Sequence, residues 1–127
     1  MNKKRYIIEM GTGIEQHGQE MTKAAVKAVK EAISGICLVG LTELVRTSGP
    51  NDMLLDILVA CPRPEEVNIE ELGKALPFGQ KEIKVVAGGM SVKGHFHPGM
   101  GDKSDEIIIA NAAITISLDL DKVKLGN

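Results

Sequence analysis

The sequence predicts an α+β fold: a β-α-β-β-α-β-β two-layer sandwich with two helices on one face of a mixed or antiparallel sheet. Three observations carry this. Short apolar runs rich in β-branched residues recur between turn signals. Only two stretches, residues 19–33 and 69–76, carry helical spacing or a helix start signal. And 127 residues, 43% of them apolar, are the size of one domain with a real core. Residues 1–127 therefore read as a single α+β domain, with amphipathic helices and a sheet burying their apolar sides against each other.

Taken in order, Arg5 to Met10 reads as the first strand, with Tyr6, Ile7 and Ile8 supplying β-prone bulk. The glycine-rich stretch Met10 to Lys23 then hands the strand over to a helix from about Gln19 to Ile33. Met21, Ala25, Ala28, Val29 and Ala32 form the helix's apolar stripe, while Lys23, Lys27 and Lys30 form a solvated face. Gly35 is placed as a left-handed cap. Ile36–Val45 and Met53–Cys61 read as two strands of a hairpin about the turn 47–52, which would set Cys37 opposite Cys61. Asn68 starts a short helix over Ile69–Leu76, with Glu70 and Glu71 against its dipole. Glu82–Val86 alternates as a strand, residues 87–102 break the apolar pattern, and Glu106–Leu118 is the last strand. The charged tail, residues 119–127, is expected to fray.

Composition excludes whole classes of function. A net charge of -2 and three aromatic residues, Tyr6, Phe78 and Phe96, leave neither a basic groove nor stacking platforms for nucleic acid. No apolar run is long enough to span a membrane, and Met1 to Arg5 lacks the apolar segment of a signal peptide. A soluble, cytoplasmic protein is expected. Cys37 and Cys61 lie in apolar runs and read as buried thiols, not as a disulfide.

Chemistry-bearing residues gather in the two glycine-rich breaks. In the first, Gly11, Thr12, Gly13, Gly18 and Lys23 surround a strand-to-helix transition whose free N–H groups would suit a small polar or anionic ligand. Gln16 stands where a dinucleotide fingerprint needs glycine, and no Gly-Lys-Ser/Thr follows, so neither that motif nor a P-loop is present. The competing reading is a tight turn that needs glycine sterically. His17 is the candidate acid/base group. Glu15, two residues before it, would share its face in an extended chain and orient the imidazole. In the second break, His95 and His97 share the i, i+2 spacing that lets two imidazoles bite one divalent metal ion, although no complete ligand motif surrounds them. Ser91 and Lys93 have the spacing of an activated Ser/Lys pair but read more simply as a polar strand end. If both breaks leave parallel strands at one sheet edge, Glu15 and His17 would face His95 and His97 in a common pocket.

The run Gly11-Thr-Gly-Ile-Glu-Gln-His17-Gly18 resembles the "Lin" family of uncharacterised conserved proteins, whose signature is G-x-G-x-D-x-H-G near the N-terminus. Gly11, Gly13, His17 and Gly18 fit; Glu15 stands where the pattern has aspartate. The likeness continues through Thr22-Lys23-Ala24-Ala25 and over nearly the whole chain. It implies where a site lies, not its chemistry. A fainter resemblance, from Asn51-Asp52-Met53 to Cys61-Pro62, is to the ring-opening amidohydrolases (cyanuric acid hydrolase and barbiturase), which implies α+β units. Their Ser-Gly-Gly segment is unmatched, since Ala87-Gly88-Gly89 has alanine in place of serine.

Together these features point to a homo-oligomer, closed through a half-polar sheet face, that binds a small polar or anionic metabolite. As an enzyme it would be a hydrolase or lyase with His17 and Glu15 at the centre. The alternatives are a non-catalytic binding or regulatory module and a structural subunit.

Overall fold

The computed structural model describes residues 1–47 and 49–125, so Ser48 of the expected turn and Gly126 and Asn127 of the expected tail lie outside the described residues. The fold is α+β around an open mixed sheet. Strand β1 (Lys3–Glu15) leads to helix α1 (Met21–Ser34) and the one-turn helix α2 (Gly40–Glu43). Then come β2 (Val45–Arg46), β3 (Leu54–Cys61), the short helix α3 (Ile69–Gly73), β4 (Gln80–Ala87), β5 (Met90–Lys93), β6 (Glu106–Asp119) and β7 (Lys124–Leu125). The main sheet runs β1-β6-β3-β4, with β5 continuing beyond β3 along β6. β3 and β4 are parallel, and β6 is antiparallel to β1, β3 and β5. So β1, β3, β4 and β5 all point the same way, and their carboxyl ends meet the start of β6 at one edge.

The core follows from alternation. Leu55, Ile57, Val59 and Cys61 of β3 and Ile108 to Leu118 of β6, every second residue, are buried on one face. α1 covers that face with Met21, Ala24, Ala25, Ala28, Val29 and Ala32. Each large aliphatic side chain taken from water there contributes about 1.5–3 kcal/mol. Asn68 caps α3 as expected, accepting the Glu71 N–H at 3.0 Å.

Several boundaries differ from the expectation, each for a physical reason. β1 does not stop at Met10. It runs on in continuous register with β6, Gly11 opposite Ala112 and Gly13 opposite Ala110. The glycines do not bend the chain; they let α1 come close. A Cβ at Gly11 would strike the backbone of Ala28 and Ala32, and one at Gly13 the backbone of Ala24 and Ala28.

Within the segment 36–45, Gly40–Glu43 form α2 and only Val45 enters a strand, the two-residue β2. Leu38, Leu41 and Val45 recur at helical spacing and pack on the core together, and both edges of β3 are already taken by β6 and β4. The hairpin and the pairing of Cys37 with Cys61 therefore do not form; Cys37 is exposed and Cys61 is buried. Gly35 has φ −91, so it is not a left-handed cap. α3 ends at Gly73, a strand forms at Met90–Lys93 inside the second break, and β7 pairs with β2 where a frayed tail was expected.

Candidate functional site

The carboxyl edge of the sheet carries a connected polar cluster. β1 ends at Glu15, and residues 16–20 cross to α1 with Gly18 at φ 86 and Gln19 at φ 49. The loop between β5 and β6 returns over the same edge and presents Asp102 just after Gly101, also at φ 86. The Asp102 side chain is fully buried. Four groups donate to it or pair with it: His17 Nδ1 at 3.0 Å, the Gly18 N–H at 3.0 Å, the Gln19 amide at 3.3 Å and the His97 N–H at 2.8 Å. Burial alone would push its carboxyl group up. The His97 N–H, His17 and the Gly18 and Gln19 donors outweigh that and hold it well below the usual carboxylate range.

Asp102 is therefore an anionic acceptor, and it fixes His17 through Nδ1. With Nδ1 carrying the proton toward Asp102, Nε2 is left as the acceptor on a ring whose side chain is 32% exposed. Among the described residues nothing hydrogen-bonds that Nε2. The His97 ring stands edge-on to His17 with centroids 6.0 Å apart, and His95 is a further 6.0 Å from His97.

Gln19 ties the two loops together. Its amide nitrogen also donates to the Glu106 carbonyl at 2.9 Å, while its oxygen accepts the Lys103 and Ser104 N–H groups at 2.8 and 3.3 Å. Buried and in the left-handed region, a non-glycine residue persists only where its surroundings over-determine it, as these bonds do. Glu106 continues the cluster outward, taking Ser91 Oγ at 2.6 Å and Arg63 Nη1 at 3.2 Å. The Ser91 hydroxyl, and then Arg63, hold its carboxyl group below the usual range against the opposing effect of burial.

A family model described as Conserved hypothetical protein (Lin0512_fam) matches residues 5–116. The chain belongs to this family. It is also similar to a crystal structure of an FtsZ-like protein of unknown function from Nostoc punctiforme PCC 73102. That likeness has 47% identity and a TM-score of 0.83, and it covers 94% of this chain and 98% of that one. No curated protein matches the chain.

Within this Lin0512-family chain, the residues singled out from sequence disperse. His17 and Gly18 meet at Asp102, and His97 contributes its backbone N–H there. Gly11 and Gly13 lie within the continuous strand β1 and face α1 from Ala24 to Ala32, not in a loop at its start, so their amides and the helix N-terminus do not form one cradle. Thr12 points to the opposite sheet face, where its hydroxyl accepts the Asn111 amide at 3.2 Å. Lys23 pairs with Glu20 at 2.7 Å.

Glu15 does not orient His17. β1 stays extended through Glu15, which turns the carboxylate under α1, where Oε1 meets Lys27 Nζ at 3.0 Å. The chain bends at 17–18, so the shared face expected of Glu15 and His17 is lost. His95 and His97 are not on a strand, because β5 ends at Lys93. Among the described residues no group of three His, Cys, Asp or Glu side chains is arranged to hold a metal ion. Ser91 pairs with Glu106, not Lys93.

Asp102, Gln19, Arg63 and Glu106 were not among the expected site residues. Asp102 had one signal, its place in the break that also holds His95 and His97. Gln19 had none, since its role rests on a backbone conformation.

Proposed function

We propose that this edge binds a small polar or anionic metabolite and that His17 exchanges a proton with it through Nε2, in a hydrolase or lyase reaction. Asp102 is the positioning residue, in the role first expected of Glu15. The observation that carries the reading is the pairing of a fully buried carboxylate with Nδ1 of a partly exposed imidazole. A buried anion is costly unless it is paired and hydrogen-bonded, and here the pairing fixes one tautomer of a histidine open to solvent. That arrangement matches an acid/base group held ready for a substrate. The neighbouring His97 imidazole, 6.0 Å from the His17 ring, adds a second ring N–H for a ligand with oxygen acceptors.

A second reading has one observation behind it. Among the described residues no serine, cysteine or lysine is hydrogen-bonded to His17, so no protein nucleophile is aimed at the site. A non-catalytic module that senses the same class of ligand needs none. An enzyme of this design would use water as nucleophile or abstract a carbon-bound proton.

The test is an imidazole ¹⁵N–¹H correlation spectrum, recorded alone and with inorganic phosphate, acetate and small hydroxy acids. The reading expects one Nε2-acceptor tautomer for His17 in the free protein. It also expects saturable perturbation of His17 by at least one ligand, weakened in Asp102→Asn. A mixed tautomer in the native protein, or no perturbation by any of them, overturns it. Proton–deuterium exchange or hydrolysis of the bound compound, abolished in His17→Gln, separates the enzyme from the sensor.

A further inference from the structure

We propose that the sheet face turned away from α1 docks a second copy of this chain. Alternation that buries one face leaves Ile8, Met10 and Ile14 of β1 and Leu58 of β3 projecting from the other, at 47, 74, 46 and 44% exposure. α1 and α3 both pack on the opposite side. The apolar surface continues onto β5, where Met90 and Val92 are exposed beside β6. A contiguous apolar patch rimmed by charge marks an interaction surface.

Charge decides what covers it. At the charged end of the face Lys3 pairs with Asp56 at 2.8 Å, and Glu82 and Lys84 alternate along β4 in register with Asp56 and Leu58. Lys3, Arg5 and Lys84 stand with Asp56 and Glu82, so both signs are present and no one-sided basic field draws this face to an anionic membrane or to nucleic acid. A surface carrying both signs can meet its own copy about a twofold axis, each acidic group facing a basic one.

The polar centre supports the same occupant. Thr12 and Asn111 are cross-strand neighbours joined by one bond at 3.2 Å, and the Thr12 hydroxyl hydrogen, the second Asn111 N–H and the Asn111 amide oxygen are left to pair with their own copies across a twofold axis. Four strands and the length from Ile8 to Ile14 give a projected area of roughly 400 Å² before side-chain relief. That is the scale of the core of an interface that buries about 800 Å² of accessible surface per partner.

Sedimentation equilibrium of the whole chain at high micromolar concentration tests this without reference to the His17 site. The native protein is expected at twice the chain mass of 13.6 kDa or a higher multiple. Met10→Glu and Leu58→Glu each set like charges across the twofold and should raise the dissociation constant roughly 100-fold or more. Leu44→Glu, exposed just after α2 and outside this sheet, should change nothing. Met10 is exposed enough that a charge there leaves the monomer folded, so Met10→Glu alone decides if Leu58→Glu unfolds. A native chain that sediments at 13.6 kDa overturns the proposal, whether or not it then binds phosphatidylserine vesicles. So does a Met10→Glu variant with native circular dichroism and unchanged mass.

Discussion

Residues 11–13 and 17–19 are separated by three residues and look alike in sequence: glycine-bearing, polar, near a strand-to-helix transition. They serve different parts of the molecule. Gly11 and Gly13 belong to the core, where absence of a side chain lets β1 touch the backbone of α1 at Ala24, Ala28 and Ala32. His17, Gly18 and Gln19 belong to the polar edge and close around the carboxylate of Asp102. What a glycine faces separates the two. Alternate glycines on a strand opposite alanines at every fourth position of the next helix mark close packing. A glycine at positive φ beside buried polar side chains marks a built loop.

The comparison is broken most decisively at Gly13. Gly13→Ala must push β1 and α1 apart along their whole contact, because the obstacle is helix backbone, which has no rotamer to change. A loss of about 3 kcal/mol or more is expected from urea unfolding. Gly35→Ala is the control: φ is −91 and nothing lies within 4 Å of the added methyl, so its effect should stay within about 0.5 kcal/mol. Equal, small effects at both positions would mean that the glycines of β1 do not set the helix–sheet distance.

At the other pole, Asp102→Asn keeps the shape and removes the charge. The carboxyl group is held below its ordinary value of 3.8 in the folded chain. A depressed folded pKa contributes stability that is fully present above the unfolded value and is lost as pH falls through the folded one. The native protein should therefore exceed the variant in urea midpoint at about pH 7, and the two should converge below about pH 4. Parallel curves down to about pH 2 would show that Asp102 contributes nothing through its charge.

Gln19→Leu comes next. It fills the same volume but leaves the Lys103 N–H and the Glu106 carbonyl without their partner, at a cost of about 1–3 kcal/mol. Faster amide exchange should follow in residues 102–106 but not in α1. Exchange that quickens equally in both would mean that the core and the edge are not separable.

These contrasts also explain what was legible. The α1 stripe, the Asn68 cap and the alternation of β3 and β6 are local patterns, and each is visible in a window of ten residues. The end of β1 was not, because two glycines in a row of three read locally as a break, and only the α1 backbone at Ala24, Ala28 and Ala32 makes them a close approach. α2 was missed because Ile36–Val45 is apolar but for Thr42 and Glu43, and apolar runs of that length do not distinguish strand from helix. His17 was legible as a candidate from its type and its glycine neighbours. Asp102, its partner 85 positions away, was visible only as one carboxylate among several in the second break. Pairing the two needs the direction of β1 and β5 relative to β6, which no local pattern contains.

Glu15 tests the boundary between the two regions most finely. It is two residues from His17 in sequence, but its carboxylate lies under α1 with Lys27. Oε2 is buried and has no hydrogen-bond partner among the described residues. In Glu15→Gln, an amide group in that position would also lack a partner, so little changes there. At the other oxygen the half-exposed Lys27 ammonium donates to an amide oxygen in place of a buried carboxylate, so the lost ionic attraction and the relieved burial of a charge oppose each other. Glu15→Gln should therefore shift stability by less than about 1 kcal/mol in either direction. It should also leave the His17 tautomer and any ligand-induced perturbation of His17 as they are in the native protein. If Glu15→Gln disturbs the His17 imidazole as much as Asp102→Asn does, the carboxylate that orients His17 has been misassigned, and the division between core and edge at residue 15 fails with it.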